Sequence, residues 1–494
     1  MNRLGRVFIL SAVSLAAAVS HPPQQVPPAN IPIEQTPMFI SLGFDDNSHS
    51  GMPEGTESTG GIKWVCDFTE NLVNPPGTGQ AETFDGVPVR TTFFSNSFYF
   101  TPSQGDFASL VKWAHNHAYL LGHEIANHTH SHLSGGPTLS QAGWEAEITL
   151  ANEWFTKPAP DSITIAVNNA WGAGVAPQDI VGFRAPYLFY GNNLFKALRN
   201  LGFRYDSSIE EGFDPAQDGT NFYWPYTMDH PSPGHDYMVD VSETKEAGYY
   251  VPEHPGLWQL PVYALIVPPD DKCEEYGITT GFRDRLAAHV AGLRKPGVFS
   301  ASNGKISGLD YNLFYFQEFN LSKDETLAIL KYTLDQRMAG NRAPMLIGLH
   351  SQFYTNFWSV NTTGIPDPLD RQAVVEEFVD YALTKYEDVR IVPMRDVVTW
   401  MENPVPLNNT TSVKKPLASA TVAPSSLEIT RGTLRMQSTT QQTLRLFSVN
   451  GALVFSQVSQ PQNGFCVWDL NSAVPVGTYI ARVENQAIRL HISE

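Results

Sequence analysis

Residues 370–393 read DRQAVVEEFVDYALTKYEDVRIVP. Apolar residues recur at helical spacing as far as Leu383, and the β-branched run VRIVP then reads as a strand. Upstream the pattern repeats. Ser322-Lys323-Asp324-Glu325 is a capping box that opens the helix DETLAILKYTLDQRMAG, which stops near Gly340, and APMLIGLHS follows as a short buried run. Short apolar runs alternate with amphipathic helical stretches through residues 38–402. Repeated β-then-α units predict an α/β fold with a parallel sheet, a barrel-like (β/α) domain. No internal sequence repeat is evident.

On either side of this domain the composition changes. Residues 403–426, NPVPLNNTTSVKKPLASATVAPSS, are rich in Ser, Thr, Ala and Pro and read as a linker. Beyond them, TLRLFSVNGALVFSQ alternates apolar and polar residues about Asn450-Gly451, a hairpin signal, and a second pair, FCVWDL and GTYIARVE, follows. Residues 427–494 are therefore expected to form a small β-sandwich. At the front, residues 21–37 read as a Pro-rich spacer. Residues 1–20 place Arg3 and Arg6 before an apolar run ending Ala18-Val19-Ser20, the layout of a cleaved export signal. The expectation is a soluble protein, secreted or at the cell surface.

A formal net charge of −18 narrows the partners. Residues 407–494 carry seven Lys/Arg against four Asp/Glu, so the acidity lies in the larger domain. Such a surface repels nucleic acid and acidic polysaccharides, and a neutral substrate fits better. The three cysteines, Cys66, Cys273 and Cys466, are too few for a disulfide scaffold, and a Cys66–Cys273 bridge is left open.

Five polar clusters each end an apolar run: MFISLGFDDN with Asp45 and Asp46, GHEIANHTHSH, DIVGFRAPY with Arg184 and Tyr187, GFRYDSSI with Asp206, and APMLIGLHS with His350. Barrels of parallel strands gather catalytic groups at the C-terminal ends of their strands. His123 and His128 lack the H-E-x-x-H spacing of a zincin. His128 and His132 are four apart and share a side if the chain turns helically after Asn127. Two imidazoles and one of the two carboxylates make a three-ligand site with an open position, a layout suited to zinc, and leave the other Asp free as a base. The competing reading of Asp45-Asp46-Asn47 is a solvated turn.

FDD, HTHSH, RAPY, YDSS and a late strand-end His, in that order, resemble the motifs of the polysaccharide deacetylase family, carbohydrate esterase family 4. GHEIANHTHSH, DIVGFRAPYL, FRYDSSI and WPYTMD resemble its chitin-deacetylase-like branch, and the resemblance covers about Met38 to Met401. It implies that Asp46, His128 and His132 bind a divalent metal, most simply Zn2+, and that Asp45 is the general base oriented by Arg184. It also implies that the Tyr187 backbone N–H stabilises an oxyanion and that His350 is the general acid. His123 and His130 then either support the ligands from behind or are structural.

Two positions depart from the family pattern. Leu often stands two residues before the acid His, lining the acetyl pocket, where this chain has Gly348. An Asp that tunes the acid His often stands where this chain has Ile209, which leaves Asp206, Glu210 or Glu211 to orient His350, with a structural hydrogen-bond anchor as the equal alternative for Asp206. Among the aromatic clusters NFYWPY, NLFYFQEF and SQFYTNFW, Trp224 is the candidate for stacking on a sugar ring and core packing the competing reading. The expected activity is removal of N-acetyl groups from N-acetylglucosamine polymers. An acetylxylan esterase and a catalytically inactive polysaccharide-binding protein are the alternatives. The C-terminal strands resemble a type IX secretion sorting domain, which implies secretion machinery as a partner.

Overall fold

The computed structural model describes residues 20–52, 60–105, 107–234, 251–293, 299–315, 318–356 and 364–407. Beyond these it describes 427–430, 433–438, 440–448, 453–462, 464–470, 474–475, 477–483 and 486–492. In the larger region the strands are β1 (Met38–Asp46), β2 (Thr92–Ser95), β3 (Glu124–Asn127), β4 (Gly182–Phe183), β5 (Tyr205–Asp206), β6 (Glu210–Glu211), β7 (Tyr226–Thr227), β8 (Trp258–Gln259), β9 (Val262–Tyr263), β10 (Leu265–Ile266), β11 (Lys305–Ile306), β12 (Met345–His350) and β13 (Val389–Ile391).

The main sheet runs β12-β1-β2-β3-β4-β5-β8-β7, parallel except for the last pairing, and β13 also pairs with β1. β1 is its longest strand, buried along nearly its whole length, as a strand covered on both faces must be. On one edge it pairs with β12 from Ile40↔Met345 to Asp45↔His350. On the other, its first residues pair with β13 and its last with β2. Alternate residues divide between two cores. Ile40, Phe93, Ile125 and Ile347 pack outward under the helices. Phe39, Phe94, Ala126, Tyr205, Trp258 and Leu346, from six different strands, meet in one cluster on the concave side. The sheet therefore curls as the barrel reading expects, but β12 and β7 end it unjoined, leaving an open half-barrel. At the β12 edge, Leu309 makes a single bridge to Gly348.

The helices follow their sequence signals. Ser322 and Glu325 close the capping box on helix Lys323–Ala339, which ends at Gly340. Asp367 caps helix Pro368–Lys385, with Pro368 at the position whose N–H has no helical partner. Leu327, Leu330 and Leu334 bury one face of the first, each contributing roughly 1.5–3 kcal/mol relative to exposure.

Residues 21–37 are not a free spacer. The backbone N–H groups of Thr227 and Trp224 donate to His21 and Gln24, the Asn341 amide to Gln25, and Arg342 to Thr36. The expected linker likewise starts late. Leu407 is buried and donates its N–H to Gln35 at 2.7 Å. Residues 408–426 and the expected export signal, apart from Ser20, lie outside the described residues. All three cysteines are free and buried, so Cys66 and Cys273 are not bridged.

The C-terminal strands are β14 (Leu427–Thr430), β15 (Thr433–Gln437), β16 (Gln442–Ser448), β17 (Leu453–Ser459), β18 (Phe465–Asp469), β19 (Gly477–Val483) and β20 (Gln486–Ile492). They form antiparallel sheets β14-β15-β18 and β17-β16-β19-β20 around a core that includes Leu434, Leu446, Trp468 and Ala481. β16 and β17 pair as the hairpin signal predicts, with Asn450-Gly451 itself outside the described residues. FCVWDL and GTYIARVE are strands but not partners: β18 joins β15, and β19 lies between β16 and β20. Among the described residues no helix is long and apolar enough to cross a membrane.

Candidate active site

Parallel strands end on one side of a sheet, which is why scattered motifs can converge there. Asp46 ends β1, and His128 directly follows β3, donating its backbone N–H to Ser95 at the end of β2. Asp46 Oδ1 lies 3.6 Å from His128 Nε2 and 3.1 Å from His132 Nε2. His128 Nδ1 is 2.7 Å from the Arg184 carbonyl, which can only accept, so Nδ1 carries a hydrogen and Nε2 is the nitrogen turned toward Asp46. Asp46 Oδ1 is buried with no hydrogen-bond partner, while Oδ2 accepts from the Gln352 amide at 2.7 Å. An orphaned carboxylate oxygen and two imidazole nitrogens, all within 4.8 Å of one another, fit a divalent cation. Burial works against the charged carboxylate, but the two rings and His350 hold Asp46 well below the usual carboxylate range.

His132 does not reach this position through a helical turn. Residues 128–132 form a loop in which Thr129 (φ 71°) and His132 (φ 52°) are left-handed. Asp46, Asn47, Tyr187 and Leu188 also have positive φ, so backbone strain collects around this cluster. Asn47 is no solvated turn residue. Its buried amide donates to the Phe44 and Phe94 carbonyls and to Ser95, and accepts from Ser351, tying together the ends of β1, β2 and β12.

On one flank, Arg184 Nη1 donates to Asp45 Oδ1 at 2.7 Å, with both groups buried. Arg184 in turn donates from Nε to the Ser207 carbonyl and from Nη2 to Ser207 Oγ, each at 3.0 Å. Asp206 fixes this turn by accepting from the Ser208 N–H and hydroxyl, and Ser208 Oγ accepts from the Ala185 N–H. Burial pushes Asp206 up to about 7, with the Ser208 bonds pulling the other way. Asp206 is thus an anchor for Arg184 and does not touch His350.

The opposite flank is held differently. His350 lies beside Asp45 in register, and its partner is Asp310, which sequence reading missed. Asp310 Oδ1 is 2.6 Å from His350 Nδ1 and Oδ2 accepts the His350 backbone N–H at 2.8 Å. Burial lowers the affinity of His350 for its proton. Asp310, with Asp46 and Asp45 behind it, more than offsets that and pushes the ring up to about 9. Asp310 opens a short helix within KISGLDYNLF, and no spacing in that stretch marks it. Glu211 is elsewhere, accepting from Tyr226 and Ser232.

Tyr187 is 59% exposed, with its ring edge-on to His132 at 4.5 Å. Trp224 is fully buried, donates Nε1 to the Asn341 carbonyl and packs against Trp400. It offers no face to a sugar, so the stacking expectation fails because the residue belongs to the concave core. His123 is buried among Thr69 and Thr91, and burial, then the nearby arginine charge, holds its pKa well below the ordinary value. His130 meets Ser97 Oγ at 2.7 Å.

No family model matches the chain. In sequence it is 22% identical to chitin deacetylase 1 of Bombyx mori over 381 residues, 76% of this chain and 53% of that protein, so it spans about half that relative's length. Similar solved structures include a Mycobacterium smegmatis protein assigned as a polysaccharide deacetylase (14% identity, TM-score 0.42, 77% of this chain and 95% of that one). Another is a family 4 carbohydrate esterase of Streptomyces lividans in complex with acetate (16% identity, TM-score 0.21, 35% and 64%). The sequence likeness to the silkworm protein supports the family that the motifs resemble.

Proposed function

We propose that this chain is an exported, zinc-dependent polysaccharide deacetylase that removes N-acetyl groups from neutral N-acetylglucosamine polymers. The observation that carries the reading is the in-register pair of Asp45 and His350 beside the Asp46, His128 and His132 cluster. A cation held by those three residues would supply a Lewis acid that polarises the acyl carbonyl and makes water easier to deprotonate. Asp45, aimed by Arg184, accepts the proton of the attacking water. The Tyr187 backbone N–H faces the developing oxyanion. His350, kept protonated by Asp310, delivers a proton to the leaving nitrogen, and acetate and a free amine result. The C-terminal sheets are proposed to be a sandwich that serves secretion sorting and to take no part in the chemistry.

The test is acetate release by chelated and then zinc-reloaded protein on chito-oligosaccharides and acetylated xylan, side by side. Zinc-restored release from the chitin series supports the proposal. Release from xylan alone makes the protein an esterase, and zinc binding without release from either makes it a binding protein.

A further inference from the structure

The floor beneath the proposed acid and base is built without side chains of its own. Gly43 and Gly348 face each other in register on β1 and β12, two residues before the facing pair Asp45 and His350. Strand alternation puts all four on one side of the sheet, and Leu346 on the same side of β12 packs in the concave core. Neighbours cover the glycines. A Cβ on Gly43 would lie 2.9 Å from Met394 Cε, 3.1 Å from Phe94 Cε2 and 3.2 Å from Arg184 Nη1, and one on Gly348 would lie 2.1 Å from Leu309 Cδ2. Leu309 is held there by backbone, since Gly348 donates its N–H to the Gly308 carbonyl at 2.9 Å and Leu309 bridges to Gly348. Leu309 is nevertheless partly exposed, whereas Asp310 beside it is buried. Its apolar branch thus covers one half of the floor, and Met394, Phe94 and the charged tip of Arg184 cover the other.

We propose that Leu309 is the specificity-determining wall against which the acyl methyl packs, and that Gly348 stays a glycine to admit it. The inference rests on the deacetylase reading. Tyr311 strengthens it: its ring lies 6.1 Å from Phe353, which stacks on His350 at 4.4 Å. Three consecutive residues from outside the main sheet therefore bring an apolar branch, a carboxylate and a ring to the acid flank. Because the Leu309 side chain occupies the space a residue at 348 would need, the two positions are coupled.

The experiment measures kcat/KM of the zinc-loaded full chain on 4-nitrophenyl acetate, propionate and butyrate, with a zinc isotherm and a thermal melt for each variant. Leu309→Ala is expected to raise the butyrate-to-acetate ratio about tenfold, the scale of a methylene-sized change in an apolar pocket. Gly348→Leu is expected to lose activity, and Leu309→Gly/Gly348→Leu to regain it with acetate preferred. Leu309→Ala decides the matter even where Gly348→Leu does not fold. An active wild type whose acyl preference is unchanged in Leu309→Ala overturns this proposal alone. A wild type that binds zinc but releases no acyl group from these esters or from chito-oligosaccharides overturns the deacetylase reading and the proposal with it.

Discussion

The two flanks of the site solve the same problem, fixing a charged group in a buried place, by different means. Asp45 is held by Arg184, and Arg184 by a turn that Asp206 anchors, all from the ends of β1, β4 and β5 in the body of the sheet. His350 ends β12, at the sheet's open edge, and is held by Asp310 from a segment that is not part of that sheet. Inside the sheet, register dictates which residues meet. At the edge, whichever segment packs there can supply the partner.

Charge chemistry sharpens the contrast. An arginine stays charged in a protein, so losing Asp45 strands a buried charge on Arg184, whereas His350 can become neutral when Asp310 is lost. The largest expected effect is therefore on the sheet side. Asp45→Ala should cost about 3–5 kcal/mol of unfolding free energy in denaturant melts, together with nearly all activity. A loss below 1 kcal/mol would show that the two flanks do not differ in this way.

Asp310→Asn comes next and should act on chemistry more than on stability. In the proposed mechanism His350 is the protonated acid, so activity should fall as pH rises through its pKa, near 9 or below it once a cation binds close by. Removing the carboxylate that raises that pKa must shift the alkaline limb of kcat/KM to lower pH, toward the ordinary imidazole value of about 6.5. An unmoved limb in the pH–rate profile would mean that Asp310 does not set the acid.

Gln352 joins the flanks through Asp46. Gln352→Ala should weaken zinc binding about 10–100-fold by titration calorimetry and leave the melting temperature nearly unchanged. The smallest effect is expected at Trp224. Trp224→Phe removes a buried hydrogen bond and should cost about 1 kcal/mol with no change in KM on chito-oligosaccharides. A raised KM would return that ring to the substrate.

The legibility of each part follows from the same physics. Helices Lys323–Ala339 and Pro368–Lys385 announce themselves because caps and apolar spacing act within a few residues along the chain. Asp45, Asp46, His128, Arg184 and His350 were readable because each lies in the last two residues of a strand or directly follows one, so a polar residue closing an apolar run already encodes its place at the sheet's C-terminal side. His132 was readable as a candidate, but the left-handed residues that turn it toward Asp46 were not, because strain is tolerated only where surrounding contacts enforce it. Trp224 looked like a sugar platform because an aromatic side chain suits a core and a binding face equally well, and only packing against Trp400 separates the two. The sequence by itself determined the alternating architecture and the polar strand ends that gather at the candidate site, both products of short-range periodicity. The tertiary structure alone decided that Asp310 holds the acid, that Asp206 serves Arg184 and that Leu309 fills the space at Gly348, because those pairings join segments tens of residues or more apart that no local spacing relates.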